Sequence, residues 1–201
     1  MEEVRWPAAR RVAFIAMMGA LSNALFALSA TVLNWGQVAL DLSSMGVLIA
    51  SLYGGPLAGL SVGVLAGLLP GLYFGSTSGL LPLFLPGLVA GKSLTGLSVG
   101  ALSRALNVLG RKHKAAAALT ATLVGYVPEC LFTVAFFLAI IPLFAPQASW
   151  LTSIVVPVVV KAWIEMTIMG FYMAALAGNQ GFTLLVARLW PTPEAFVTLK
   201  R

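Results

Sequence analysis

Charge is scarce in this chain, and one long stretch has none. Only 9% of its 201 residues are charged, whereas 60% are hydrophobic. No charged residue occurs from Leu42 to Gly91, after which Lys92 stands alone in apolar sequence. Soluble domains have about 25% charged residues. The composition therefore excludes an ordinary soluble domain and indicates a helical membrane protein. The lone Lys92 indicates that this protein binds a polar group within the membrane.

Cysteine and histidine each occur once, as Cys130 and His113. An intramolecular disulfide is therefore impossible, and a Cys/His metal site or a Cys–His nucleophile pair is very improbable. Intramembrane hydrolases need a Ser–His pair, paired aspartates or a metal cluster, and the single histidine falls in a predicted cytoplasmic loop. We therefore expect that the protein is not an enzyme and that it binds no metal and no cofactor. Cys130 is expected only to pack against neighbouring side chains.

Acidic residues are fewer than basic ones, which gives a formal net charge of +6. Because most basic residues lie outside or at the ends of apolar runs, they indicate membrane topology and not a nucleic-acid surface. A cleaved secretory signal is not expected, since the hydrophobicity continues far along the chain. The sequence predicts one membrane domain over 1–201, with cytoplasmic segments at 1–11 and 177–201 and a helical core at 12–176.

Gly, Pro and charged residues divide the core into six predicted spans, where a full crossing needs about 20 apolar residues. The spans are Val12–Val32, Asp41–Tyr53, Pro56–Phe74, Leu80–Leu102, Ala115–Phe144 and Leu151–Leu176. The second is too short to cross upright, so we expect it to be partial or tilted. With both termini cytoplasmic, every basic loop lies on the cytoplasmic side. The predicted fold class is an all-α integral membrane protein with six transmembrane helices.

Five ionisable residues lie at or within these spans, where each costs at least about 2.5–3.5 kcal/mol at the bilayer centre. They are Asp41, Lys92, Glu129, Lys161 and Glu165. Lys161 and Glu165, four residues apart on one helix, could pair without any further function. Asp41 could act only as a helix cap. Lys92, near mid-membrane, is predicted to need a partner such as Glu129, Glu165 or a ligand.

The first span has a stripe of alanines that includes Ala16, Ala20 and Ala24. Small residues four apart let another helix approach closely, either within this protein or from a partner. Further along, Ala50–Gly59 has the sequence Ala-Ser-Leu-Tyr-Gly-Gly-Pro-Leu-Ala-Gly, which predicts a tight cytoplasmic turn.

Together with the entry Leu40-Asp41-Leu42-Ser43-Ser44, these features resemble the substrate-binding S components of energy-coupling-factor (ECF) vitamin transporters, at least from Arg10 to Leu176. The chain looks most like the riboflavin-specific members. It is similar to them in the Leu-Asp-Leu-Ser entry, in the Gly/Ser/Thr-rich stretch Phe74–Gly79 and in the spacing of Pro157 and Lys161. It differs in having only valines between Pro157 and Lys161, where those members often have an asparagine.

The resemblance implies a subunit in a prokaryotic plasma membrane that captures a water-soluble vitamin, with riboflavin as first candidate, for ATP-driven import. It implies a transmembrane coupling subunit, reached through the alanine stripe, and two ATPase subunits as partners. Two alternatives stay open. One is another vitamin or precursor within the same family, and the other is a proton-coupled secondary transporter that works alone, although no convincing internal repeat supports it.

The binding site is predicted in the outer half of the bundle, under loops at Asn34–Leu40 and Gly75–Gly79 and walled by helices four to six. Its predicted residues combine polar groups with aromatic rings that suit a flat vitamin. They are Asn34, Trp35, Gln37, Asp41, Lys92, Tyr126, Glu129, Lys161, Trp163 and Glu165. Trp150 is a further candidate for stacking or, alternatively, an anchor at the membrane surface.

Overall fold

A computed structural model describes residues 8–32, 34–35, 38–39 and 41–189. In chain order the helices are α1 (Ala8–Val32), α2 (Ser44–Ile49), α3 (Pro56–Ser78), α4 (Leu81–Ala105), α5 (Lys114–Ala135), α6 (Ile141–Phe144), α7 (Val155–Gly178) and α8 (Gln180–Leu189). A two-residue strand pair follows α1, with β1 (Asn34–Trp35) antiparallel to β2 (Val38–Ala39). The remaining helical segments are π-helical turns at Ala50–Gly54 and Phe136–Ile140 and 3₁₀ segments at Val108–Gly110 and Pro146–Ile154.

Within the described residues, five helical stretches are long and apolar enough to cross a membrane. They are Ala9–Val32, Pro56–Ser78, Leu81–Ala105, Lys114–Phe144 and Pro146–Gly178. Ser44–Gly54 is a shorter apolar helix. The all-α class and the short second helix are therefore confirmed, while the side of the membrane on which each end lies stays a prediction.

The third span is longer than predicted, and the expected outer loop at Gly75–Gly79 is wrong. α3 continues to Ser78, because the hydroxyls of Thr77 and Ser78 donate hydrogen bonds to carbonyl oxygens of the preceding turn. These polar side chains therefore find their hydrogen-bond partners within the helix. Gly79 ends the helix with φ 70°, a left-handed conformation that glycine adopts without strain. Only Gly79 and Leu80 separate α3 from α4.

The predicted C-terminal segment contains a helix that the sequence analysis did not identify. α8 begins after Asn179, whose side-chain oxygen accepts a hydrogen bond from the Phe182 N–H at 3.1 Å. The helix packs back on the bundle, where the Phe182 ring meets Tyr53 edge-on at 5.8 Å and Val186 is buried. An asparagine before an apolar run is a helix-start signal that would have indicated α8.

α3 and α4 pack antiparallel at very close range, because glycines face the neighbouring backbone along their interface. Gly59 lies against Gly96, and a Cβ on Gly63 would be 2.5 Å from the carbonyl oxygen of Lys92. Side chains at these positions would push the helices apart. The interface therefore fixes where the backbone of α4 holds Lys92.

Candidate functional site

A cavity of about 420 Å³ opens among α3, α4, α5 and α7. It lies at the end of the bundle where α3 turns into α4, which the topology predicts to be the outer end. Its walls include the last turns of α3, the first half of α4, the second half of α5 and the first half of α7. The sequence predicted a site walled by helices four to six, which correspond to α4, α5 and α7. The cavity lies among these three helices, and α3 forms an additional wall.

Aromatic side chains make up much of the cavity wall. The lining rings are those of Tyr73, Phe74, Phe84, Tyr126, Phe132, Phe136, Phe137 and Trp150. Phe84 meets Phe136 edge-on at 5.6 Å, and Phe132 stacks on Phe136 at 6.0 Å. Phe136 and Phe137 are neighbours in the π-helical turn, and both line the cavity. This aromatic wall (Phe84, Phe132, Phe136, Phe137) offers ring faces and edges to a flat ligand.

The five ionisable residues predicted within the spans all line this same cavity. This charged cluster consists of Asp41, Lys92, Glu129, Lys161 and Glu165. Sequence reasoning placed them in a site one by one, and the fold brings them together from the α1–α2 connection, α4, α5 and α7.

Lys92 pairs with Asp41, and not with the partners that the sequence suggested. Its Nζ lies 2.7 Å from Asp41 Oδ2 and donates to Ser44 Oγ at 2.7 Å. Neither of the carboxylates suggested from the sequence, Glu129 and Glu165, is the ion-pair partner of Lys92. The reason is that Asp41, three residues before α2, lines the cavity and lies beside Lys92 although the two are far apart in the sequence.

Asp41 bonds to the turn before α2, not to the first amides of the helix, and it also connects the two ion pairs. α2 begins at Ser44, and Asp41 Oδ1 accepts the Ser43 N–H at 2.8 Å, which shapes the turn before the helix. The backbone N–H of Asp41 also donates to Glu165 Oε1. That same oxygen lies 3.0 Å from Lys161 Nζ. Asp41 thus joins the two ion pairs into one network across α2, α4 and α7.

Glu129 is the member of the charged cluster without a partner of opposite charge. It is 9% exposed, and its Oε2 accepts a hydrogen bond from the hydroxyl of Thr95 on α4. In the described part of the chain, neither cluster lysine has its ammonium nitrogen within 4.0 Å of this carboxylate. Its neighbour one turn earlier is Tyr126, which also lines the cavity.

Trp163 lies beside the cavity without lining it. Its ring packs edge-on against Tyr126 at 5.3 Å, so it supports Tyr126 from behind. On α7 the residues that line the cavity include Lys161, Ala162, Glu165 and Met166, which share one helical face. Trp163 is rotated away from that face, as the helical period of 3.6 residues would have indicated.

The other predicted aromatic and amide residues are placed as follows. Asn34 and Trp35 form β1, but their side chains lie outside the described part of the chain, as does Gln37 altogether. Trp150, the alternative membrane anchor, lines the cavity and is 57% exposed.

Several residues of the site were missed by sequence reasoning. Ser44, which lines the cavity, and Thr95, which lies behind it, are hydrogen-bond partners of the charged cluster, and the phenylalanines of the aromatic wall were not proposed. Ser44 stands in the same Leu-Asp-Leu-Ser-Ser motif as Asp41, and Thr95 follows Lys92 by one helical turn. Both positions could have been found from local spacing, whereas the phenylalanines resemble ordinary lipid-facing residues in sequence.

The alanine stripe of α1 lies on the outside of the bundle. Ala16, Ala20 and Ala24 are all exposed, and the opposite face of α1 buries Phe14 and Phe26. This alanine face (Ala16, Ala20, Ala24) is therefore available to a second molecule and does not serve the internal packing of the described residues.

Comparison with known proteins gives one match. A family model described as "ECF transporter, substrate-specific component" matches residues 10–177. No curated protein and no solved structure matches the chain. The matched range extends from α1 to the end of α7, so it includes the alanine face, the aromatic wall and the charged cluster.

Proposed function

The chain belongs to the family of ECF transporter substrate-specific components, and from this membership we propose that it captures a water-soluble vitamin, with riboflavin as first candidate, for ATP-driven import. Members of this family are transporter subunits and not enzymes, and membership implies that the chain acts together with an ECF membrane and ATPase module. The apolar helices make it a multi-pass membrane protein. The identity of the vitamin and a prokaryotic plasma membrane as its location belong to the proposal.

The observation that supports a flat heterocyclic vitamin is the joint presence of an aromatic wall and a charged cluster in one cavity. The volume of about 420 Å³ lies within the range of about 300–1,000 Å³ typical of small-molecule sites. Ring faces offer apolar contact to a flat ligand, while a few polar groups fix its orientation. A ligand such as riboflavin, with an apolar ring edge and a polar ring edge, matches both parts.

The proposed contact with the transmembrane coupling subunit is the alanine face. Its three small side chains permit an approaching helix to come close to the α1 backbone, where dispersion contacts and weak hydrogen bonds favour association in a membrane. Two ATPase subunits would then act through the coupling subunit. The chain itself would supply recognition of the vitamin.

The purified chain is expected to bind riboflavin with a Kd below about 1 μM, read from quenching of flavin fluorescence. Phe137→Ala, which removes a ring of the aromatic wall, should weaken binding about tenfold. Leu138→Ala is the matched control, since this neighbouring side chain is 53% exposed and does not line the cavity. Tight binding of another vitamin and none of riboflavin would keep the class of function and reject this substrate.

A further inference from the structure

Both lysines of the cavity are already neutralised by carboxylates of the same chain. Lys92 Nζ is 2.7 Å from Asp41 Oδ2, and Lys161 Nζ is 3.0 Å from Glu165 Oε1. The side chain of Lys92 is only 7% exposed, so water does not replace its partner. A ligand carboxylate would therefore meet two ammonium groups whose charges are already paired with carboxylates of the chain.

The charged cluster has one carboxylate more than it has ammonium groups, and Glu129 is the one left over. Three carboxylates face two ammonium groups in this cavity, so the cluster has one excess negative charge when all five are ionised. Removing such a charge from water without an opposite charge is costly. A ligand that supplies hydrogen-bond donors or a positive charge would offset that cost.

The carboxylate of Glu129 is held in a defined orientation and has one oxygen free. Thr95 donates to Oε2, which leaves Oε1 without a hydrogen-bond donor among the described residues. Gly91 lies opposite, where even an added Cβ would stand 3.4 Å from Oε1. Gly91 has no side chain that could cover this oxygen, and both residues line the cavity.

We propose that the ligand is a neutral or cationic nitrogen heterocycle whose N–H donor edge contacts Oε1 of Glu129, and that ligands whose only charge is a carboxylate are rejected. This inference rests on the proposed function and narrows its substrate class. Glu129 is the specificity-determining residue, and Thr95 is a positioning residue that orients it. The aromatic wall then contacts the rest of the ring system.

The test titrates the purified wild-type chain with four vitamins. Riboflavin is neutral and has an imide N–H, and thiamine is a cation with an amino group, whereas biotin and pantothenate have a carboxylate as their only charge. Binding is expected only within the first pair. Glu129→Gln should weaken that binding about 10- to 100-fold, since its amide oxygen would accept from Thr95 and its NH2 would face the N–H donors of the ligand.

Cys130→Ser is the matched control, because Cys130 neighbours Glu129 on α5 and does not line the cavity. Thermal unfolding of ligand-free Glu129→Gln should occur at the wild-type temperature or above it, since glutamine has the same shape and its amide oxygen can still accept from Thr95. That readout separates loss of a ligand contact from loss of the fold.

Three other outcomes would count against the inference, and they can be told apart. Tight binding of biotin or pantothenate by the wild-type chain would overturn the rejection of carboxylates and leave vitamin capture standing. Equal affinity of Glu129→Gln and wild type for a bound heterocycle would overturn the role of Glu129. Binding of no vitamin at all would reject the proposed function, and this inference with it.

Discussion

Lys92→Met is expected to destabilise the protein by about 3–5 kcal/mol, the typical cost of leaving one member of a buried ion pair without its partner. The carboxylate of Asp41, now 2.7 Å from Lys92 Nζ, would be left in the cavity without that cation, and Ser44 would lose its donor. The ligand-free variant should unfold at a clearly lower temperature in detergent. Lys112→Met, which replaces an exposed lysine, should leave the unfolding temperature unchanged.

A double substitution makes this expectation specific to the pair. Asp41→Asn together with Lys92→Met removes both charges, so it should recover most of the stability that Lys92→Met loses. The double variant should still bind the vitamin more weakly than the wild-type chain does, because the network that joins α2, α4 and α7 has lost the ion pair of Asp41 and Lys92. If Lys92→Met unfolds at the wild-type temperature, Asp41 and Lys92 do not form the pair described above.

Replacing Ala16, Ala20 and Ala24 together by leucine is expected to reduce vitamin uptake at least about tenfold while vitamin binding stays at the wild-type level. Since all three alanines are exposed, the longer side chains should not disturb the fold of the chain. They would instead keep a partner helix from approaching α1 closely, which removes most of the packing that drives association in a membrane. The measurement compares uptake with the assembled module and Kd with the isolated chain.

A matched triple variant controls for added bulk on the membrane face. Ala135, Ala139 and Ala175 are also exposed, but they lie on α5, in the π-helical turn after it and on α7. Replacing these three by leucine should leave uptake and binding unchanged. Equal uptake by the α1 variant and this control would show that the alanine face does not contact the coupling subunit.

The helices were predictable because each depends on a long local run of apolar residues, which the sequence shows directly. The pair of Lys161 and Glu165 was predictable for a similar reason, since residues four apart on a helix share a face. The ends of helices were harder. The stretch from Gly75 to Gly79 has the composition of a loop, yet its hydroxyls bond back into α3.

The partner of Lys92 could not be predicted, because it depends on the tertiary contacts of Asp41 with α4 and α7. Local spacing contains no information on those contacts, and Glu129 and Glu165 were suggested only because they lie in apolar spans. Because Asp41 forms the ion pair with Lys92, Glu129 is the carboxylate of the charged cluster that has no ion-pair partner among the described residues. The most informative feature of the candidate site therefore comes from tertiary structure, although Asp41, Lys92 and Glu129 had each been identified from the sequence.

We propose that this chain recognises a vitamin but depends on other subunits to import it. Uptake of labelled riboflavin into proteoliposomes tests this most directly, with the chain alone and with the ECF membrane and ATPase module plus ATP. We expect binding without uptake by the chain alone, and ATP-dependent uptake by the assembly. Uptake by the isolated chain, driven by a proton gradient, would show instead that the chain is a secondary transporter.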